Sequence, residues 1–125
     1  NNDEKKIIGI SIARKNPYGG QVVLDSVNSY LESINMEPIS IDDIDFIDDY
    51  ILDGYGTYND KITNTIKEIL IKEGIPLDTT YTGKAFWGMK EYIKKNDIKG
   101  KNILFIHTGG TPLFFDDLEV LTNEF

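Results

Sequence analysis

Ile7-Ile8-Gly9-Ile10-Ser11-Ile12-Ala13, running into Arg14-Lys15-Asn16-Pro17-Tyr18-Gly19-Gly20, decides the fold class of this chain. The first part is β-branched and almost continuously apolar, the pattern of a central strand buried on both faces of a parallel sheet. The second part supplies turn residues. Beyond it Val23, Val27, Tyr30, Leu31 and Ile34 recur at helical spacing until Pro38 forbids continuation.

Working outward, a second helix is expected where Asn59-Asp60 can cap it, where Ile62, Ile66, Ile69 and Leu70 form one stripe, and where Gly74 and Pro76 stop it. Before it lie the acidic run Asp42-Asp43-Ile44-Asp45-Phe46-Ile47-Asp48-Asp49 and then Tyr50-Ile51-Leu52, read as a short strand. A third helix is expected from near Gly83 to near Asn96-Asp97, with Ala85, Met89, Tyr92 and Ile93 facing inward and Phe86 and Trp87 in the core. Ile103-Leu104-Phe105-Ile106 reads as a further strand, leading into His107-Thr108-Gly109-Gly110-Thr111-Pro112.

Strands alternating with amphipathic helices give an α/β class, a parallel sheet with flanking helices. Two strong strands and a weak one can hardly cover three apolar helical stripes. The chain is therefore expected to belong to something larger and to expose a large apolar patch, whereas a free-standing module would cover its sheet on both faces.

The chain has 125 residues, enough for one small domain, and a net charge of −8 from 21 acidic and 13 basic residues. A field of that sign repels phosphate backbones and anionic membranes, so nucleic acid is excluded as a partner. The acidic run lacks the spacing and central glycine of a calcium loop and reads as a solvated face; no metal is expected. No cysteine is present, which removes disulfides, thiolate metal sites and a thiol nucleophile. The N-terminal Asn1-Asn2-Asp3-Glu4-Lys5-Lys6 has no secretory apolar core behind it, and no run is long enough to span a membrane. A soluble, cytoplasmic protein is expected.

Ligands of parallel α/β sheets bind beyond the carboxyl ends of strands, so the loops carry the chemistry. One is Asp53-Gly54-Tyr55-Gly56-Thr57-Tyr58-Asn59, a tyrosine between two glycines. Another is Leu77-Asp78-Thr79-Thr80-Tyr81-Thr82-Gly83-Lys84, whose helix entry could face an anion. The last is His107-Thr108-Gly109-Gly110, small enough to let backbone approach a planar ligand. Each is also an ordinary turn or helix entry. No Gly-Lys-Ser or Gly-Lys-Thr follows the glycines, which leaves a nucleoside triphosphate unsupported. His107 sits at a strand end, where a hydrogen-bonded structural role outweighs a general base. No serine or cysteine forms a nucleophile arrangement with it.

Taken in order and spacing, Ile8-Gly9-Ile10-Ser11-Ile12, Gly54-Tyr55-Gly56, Pro76 through Met89, and Leu104-Phe105-Ile106-His107-Thr108-Gly109-Gly110 resemble the D-cysteine desulfhydrase and 1-aminocyclopropane-1-carboxylate deaminase family. The resemblance implies the architecture of the tryptophan synthase β subunit, with pyridoxal phosphate between two α/β domains. Residues 1–125 would be a C-terminal segment of the larger cofactor-binding domain, without the Schiff-base lysine and the phosphate loop. It further implies that Tyr55 and Tyr81 act at the substrate side, that Thr82, Thr108 and Gly109 contact the cofactor with the Thr108 hydroxyl at its pyridine nitrogen, and that Lys84 is not the cofactor lysine.

The ring-opening deaminases carry a glutamate where this chain has Thr82. That departure favours a β-eliminating lyase acting on D-cysteine or a similar small amino acid, giving pyruvate and ammonia. The alternatives are the deaminase itself and, in another class, a free-standing non-catalytic α/β ligand-binding or interaction module. The full-length parent would be a homodimer and the fragment alone inactive.

Overall fold

The computed structural model describes residues 5–122. Asn1-Asn2-Asp3-Glu4 of the polar N-terminal stretch lie outside the described residues. The elements are β1 (Ile8–Ile10), α1 (Tyr18–Ser33), a 3-10 turn (Ile41–Asp43), β2 (Asp45–Ile47), α2 (Asp60–Glu73), α3 (Thr82–Lys95), α4 (Thr111–Asp116) and α5 (Leu118–Thr122). β1 and β2 pair in parallel, with Ile8 opposite Asp45, Gly9 opposite Phe46 and Ile10 opposite Ile47. Among the described residues the class is α/β with a small parallel sheet and flanking helices, as the sequence indicates.

Alternation along the strands sends side chains to opposite faces, and a different helix lies over each. Phe46 points to α1, where its ring occupies the space a Cβ on Gly19 would need. Ile10 and Ile47 point the other way and pack against a core of Tyr50, Ile62, Ile66, Leu77, Trp87, Phe114 and Leu121. α3 reaches that core through two glycines. A Cβ at Gly88 would lie 2.7 Å from Ile10 Cγ2, and one at Gly83 would lie 2.6 Å from Ile66 Cγ1.

α2 forms as its sequence dictates. The Asn59 side chain accepts from the Ile62 amide at 3.1 Å, Gly74 closes the helix at φ 69°, and Ile62 and Ile66 are 0% exposed.

The edge of the sheet departs from expectation. β1 is not the fully buried central strand expected: Ile8 and Ile10 are half-buried, Gly9 is exposed, Ile7 just before it is 86% exposed, and β2 pairs with one edge of β1 while no strand among the described residues pairs with the other. Residues 103–106 form no strand, with Leu104 85% and Ile106 72% exposed. A strand needs a neighbour to complete its ladder, and among the described residues this segment pairs with none. Between it and β1 runs an apolar slot of about 790 Å³, with Ile8 and Ile10 on one wall, Ile103 and Phe105 on the other, and Ala85 and Met89 of α3 also lining it. This is the large apolar patch expected of a fragment.

Three further corrections concern local structure. The second strand is Asp45–Ile47, inside the acidic run, while Tyr50 and Ile51 lie in a buried turn. The apolar stripe of α1 stays largely uncovered, with Tyr30 and Ile34 exposed and Gly19 and Gly20 its buried residues. α4 and α5 follow Pro112 and bury Phe114 and Leu121, two short helices whose apolar periodicity is too brief to read. Among the described residues no helix is long and apolar enough to cross a membrane, and no cluster of three or more His, Cys, Asp or Glu could hold a metal.

Candidate functional site

Asp78 organises the site. Its carboxylate is fully buried and accepts from the amides of Thr80 at 2.9 Å, Tyr81 at 2.6 Å and Thr82 at 2.9 Å, and from the Thr82 hydroxyl at 2.7 Å. These amides begin α3 and would otherwise lack partners, and an anion there also complements the helix dipole. Asp117, between α4 and α5, braces the same turn by accepting from the Thr79 amide at 2.8 Å.

Held this way, Tyr81 stands at the slot, where its hydroxyl shares a hydrogen bond with that of Tyr55. The two rings meet edge to face, with centroids 5.7 Å apart. The bond with Tyr55, and secondarily desolvation, hold the Tyr81 phenol above the ordinary tyrosine range. Tyr55 is presented by a turn in which Gly54 and Gly56 take φ of 115° and 75°, conformations that suit glycine. Lys84 ties the turn down from beneath by donating to the Gly54 carbonyl at 2.8 Å.

The third loop packs onto the second. A Cβ on Gly110 would collide with the Asp78 carboxylate. His107 Nε2 lies 3.1 Å from the Pro76 carbonyl, which can only accept, so Nε2 donates and Nδ1 accepts from the Gly109 amide at 3.3 Å. Both ring nitrogens are thereby engaged within the loop. Thr108 lines the slot together with Tyr81, and its hydroxyl has no hydrogen-bond partner among the described residues.

The structure thus brings Tyr55 onto Tyr81 and sets Tyr81, Thr82 and Thr108 around one slot, with Gly109 beside them. Thr82 differs from its sequence assignment in one respect. Its side chain is buried and its hydroxyl is turned inward, donating to Asp78 and accepting from the Asp78 amide at 3.1 Å. Asp78 is the residue that sequence reasoning missed, although an acidic residue just ahead of a helix start is a recognisable capping signal.

No protein-family model matches the chain. Individual relatives do. A D-cysteine desulfhydrase of Klebsiella pneumoniae is 34% identical over 113 residues, 90% of this chain and 34% of the relative. A Pyrococcus horikoshii protein provisionally named a 1-aminocyclopropane-1-carboxylate deaminase is 31% identical over 110 residues, 87% of this chain and 32% of its own length. A crystal structure described as an ACC deaminase homologue superposes on 94% of the chain with a TM-score of 0.78 at 27% identity, this chain covering 35% of that one. The chain belongs to the D-cysteine desulfhydrase and 1-aminocyclopropane-1-carboxylate deaminase family. It spans about a third of the length of the curated relatives it matches. Its three loops are therefore carried by this family's fold, of which the chain covers a part.

Proposed function

We propose that this chain is the C-terminal part of the cofactor-binding domain of a pyridoxal-phosphate-dependent lyase, which eliminates a β-leaving group from D-cysteine or a similar small amino acid to give pyruvate and ammonia. The observation that carries the reading is the pair of phenols, Tyr55 and Tyr81, joined at a slot that Thr108 also lines. The residues present fit one side of the cofactor. Thr108 offers a hydroxyl free to bond a ring nitrogen, and a Cβ added at Gly109 would meet no atom within 4 Å, so backbone can approach a planar group. Lys84 is sealed beneath Tyr55, in keeping with a cofactor lysine supplied by another part of the parent.

Bound pyridoxal phosphate would supply the electron sink that acidifies the α-carbon of an amino acid. The chain's own residues do the rest. Of two phenols sharing one hydrogen bond, the one that accepts keeps its own proton free to donate to a substrate carboxylate or to return to carbon. A neutral hydroxyl at the ring nitrogen, with Thr82 turned toward Asp78 where the ring-opening deaminases carry a glutamate, favours elimination over ring opening.

The test is to assay the full-length parent for pyruvate and ammonia from D-cysteine and for ring opening of 1-aminocyclopropane-1-carboxylate. Tyr81→Phe is expected to lower kcat about 100-fold or more if the phenol moves a proton. Ring opening without elimination would select the deaminase reading, which the name of the Pyrococcus relative favours. The chain alone is expected to retain no cofactor absorbance after incubation with pyridoxal phosphate and dialysis.

A further inference from the structure

Lys84 is a buried cation without a buried anion. Its side chain is 0% exposed, and no carboxylate among the described residues pairs with it. Its ammonium instead faces four oxygens: the carbonyls of Gly54 at 2.8 Å, Ile51 at 3.2 Å and Ile12 at 3.3 Å, and the Thr57 hydroxyl at 3.4 Å. An ammonium has three protons to give, so the shell holds more oxygens than directed hydrogen bonds require. Shells of carbonyl oxygens are how proteins replace the hydration of a monovalent cation. Desolvation pushes the Lys84 pKa down, and the carbonyl dipoles are what oppose that loss of charge.

The four oxygens are not a local set. Ile51, Gly54 and Thr57 belong to the turn that carries Tyr55, Ile12 follows β1, and Lys84 lies in the first turn of the helix that Tyr81 precedes. The same turn is bonded within itself, Thr57 Oγ1 donating to the Gly54 carbonyl at 2.7 Å, so a cation there holds a preassembled nest.

We propose that Lys84 is a positioning residue whose ammonium serves as a built-in monovalent cation, fixing the turn so that Tyr55 meets Tyr81, and that truncating it opens a site for free potassium or ammonium. The placement of the phenols stands on this chain's geometry; its consequence for turnover rests on the function proposed above.

The test compares Lys84→Ala with Lys84→Met in this chain. Spectrophotometric tyrosine titration is run in choline, potassium and ammonium chloride at equal ionic strength. Tyr55 and Asp78 are the groups facing the Tyr81 phenol, and Tyr50 also titrates high through burial. Tyr81 is therefore read as the difference from a Tyr81→Phe control in each background. In choline both Lys84 variants are expected to return the Tyr81 phenol toward the ordinary tyrosine range. Potassium or ammonium is expected to restore the high titration in Lys84→Ala and not in Lys84→Met, whose side chain still fills the channel.

A raised phenol in Lys84→Ala without a cation, no restoration by either ion, or equal restoration in both variants overturns the proposal. If Trp87 emission shows that Lys84→Ala does not fold, Lys84→Met decides, and a raised Tyr81 phenol there overturns it. The native chain gives a variant-free check by NMR. The Lys84 ammonium protons are expected to exchange slowly, and exchange as fast as that of a surface lysine would sink the idea. In the full-length parent, Lys84→Ala is expected to lower kcat about 100-fold, as a misplaced catalytic group does, with recovery in potassium. If the phenol shifts as expected while kcat stays put, the positioning role stands and the substrate-side assignment of the phenols fails.

Discussion

Ile66 and Leu104 are aliphatic residues of the same size, each in a segment whose sequence reads as core, yet Ile66 has no exposure and Leu104 is 85% exposed. The α2–α3 region contains every surface it needs. Ile62, Ile66, Leu77 and Trp87 meet one another, and Gly83 lets α3 close onto α2. The segment from 102 to 108 and the edge of β1 that pairs with no strand among the described residues face each other across a slot. Hydrophobic pattern alone therefore says that a residue is suited to burial. Whether it is buried depends on a partner surface, and here one half of the molecule has that partner and the other does not.

Paired substitutions break or sharpen this contrast. Ile66→Ala is expected to destabilise the chain by about 2–5 kcal/mol, and Leu104→Ala to change it by less than about 0.5 kcal/mol, in urea titrations followed by Trp87 emission. A loss at Leu104 as large as that at Ile66 would mean the slot closes in solution. At the seam between the two regions, Gly88→Ala drives a methyl toward Ile10 Cγ2 at 2.7 Å and the Tyr50 ring at 3.2 Å. It is expected to cost about 1–3 kcal/mol in the same assay, and a neutral result would mean that β1 is free to move away from α3.

Asn59→Ala removes the cap of α2 and is expected to cost about 1 kcal/mol. The smallest effect is electrostatic. Glu68 bonds Lys72 at 2.8 Å and Lys90 at 2.6 Å, and these ammonium groups lower its pKa from 4.5 to about 2. Because the folded value lies below the unfolded one, the contribution is complete above about pH 4.5 and fades as pH falls toward 2. Glu68→Gln should flatten that part of the stability–pH curve, and added salt should do the same to the native chain because these side chains reach solvent.

How much was legible follows the same division. α2 and α3 can be read from sequence because their evidence is local: a capping Asn59, a stopping Gly74 and stripes at helical spacing. β2 could not be read, because Asp45-Phe46-Ile47 is a strand only by virtue of lying beside β1. The segment 103–106 fails the opposite way, carrying a strand's composition without a ladder to join. Among the candidate residues, Tyr55 and Thr108 stand out in sequence beside glycine pairs and Tyr81 just ahead of a helix start. The inward turn of the Thr82 hydroxyl and the shell around Lys84 do not, since both depend on which backbone atoms the fold brings near a polar side chain.

The buried carboxylate of Asp78 has a consequence for anyone who would move this site elsewhere. It caps the start of α3, fixes Tyr81, and occupies the space that a Cβ on Gly110 would need, while Asp117 steadies the turn from the far side. The tyrosine loop and the glycine loop are thus two ends of one joint. Grafting either into another scaffold would transplant half a hinge, and only a donor piece running from Pro76 through Asp117 would arrive with its alignment intact.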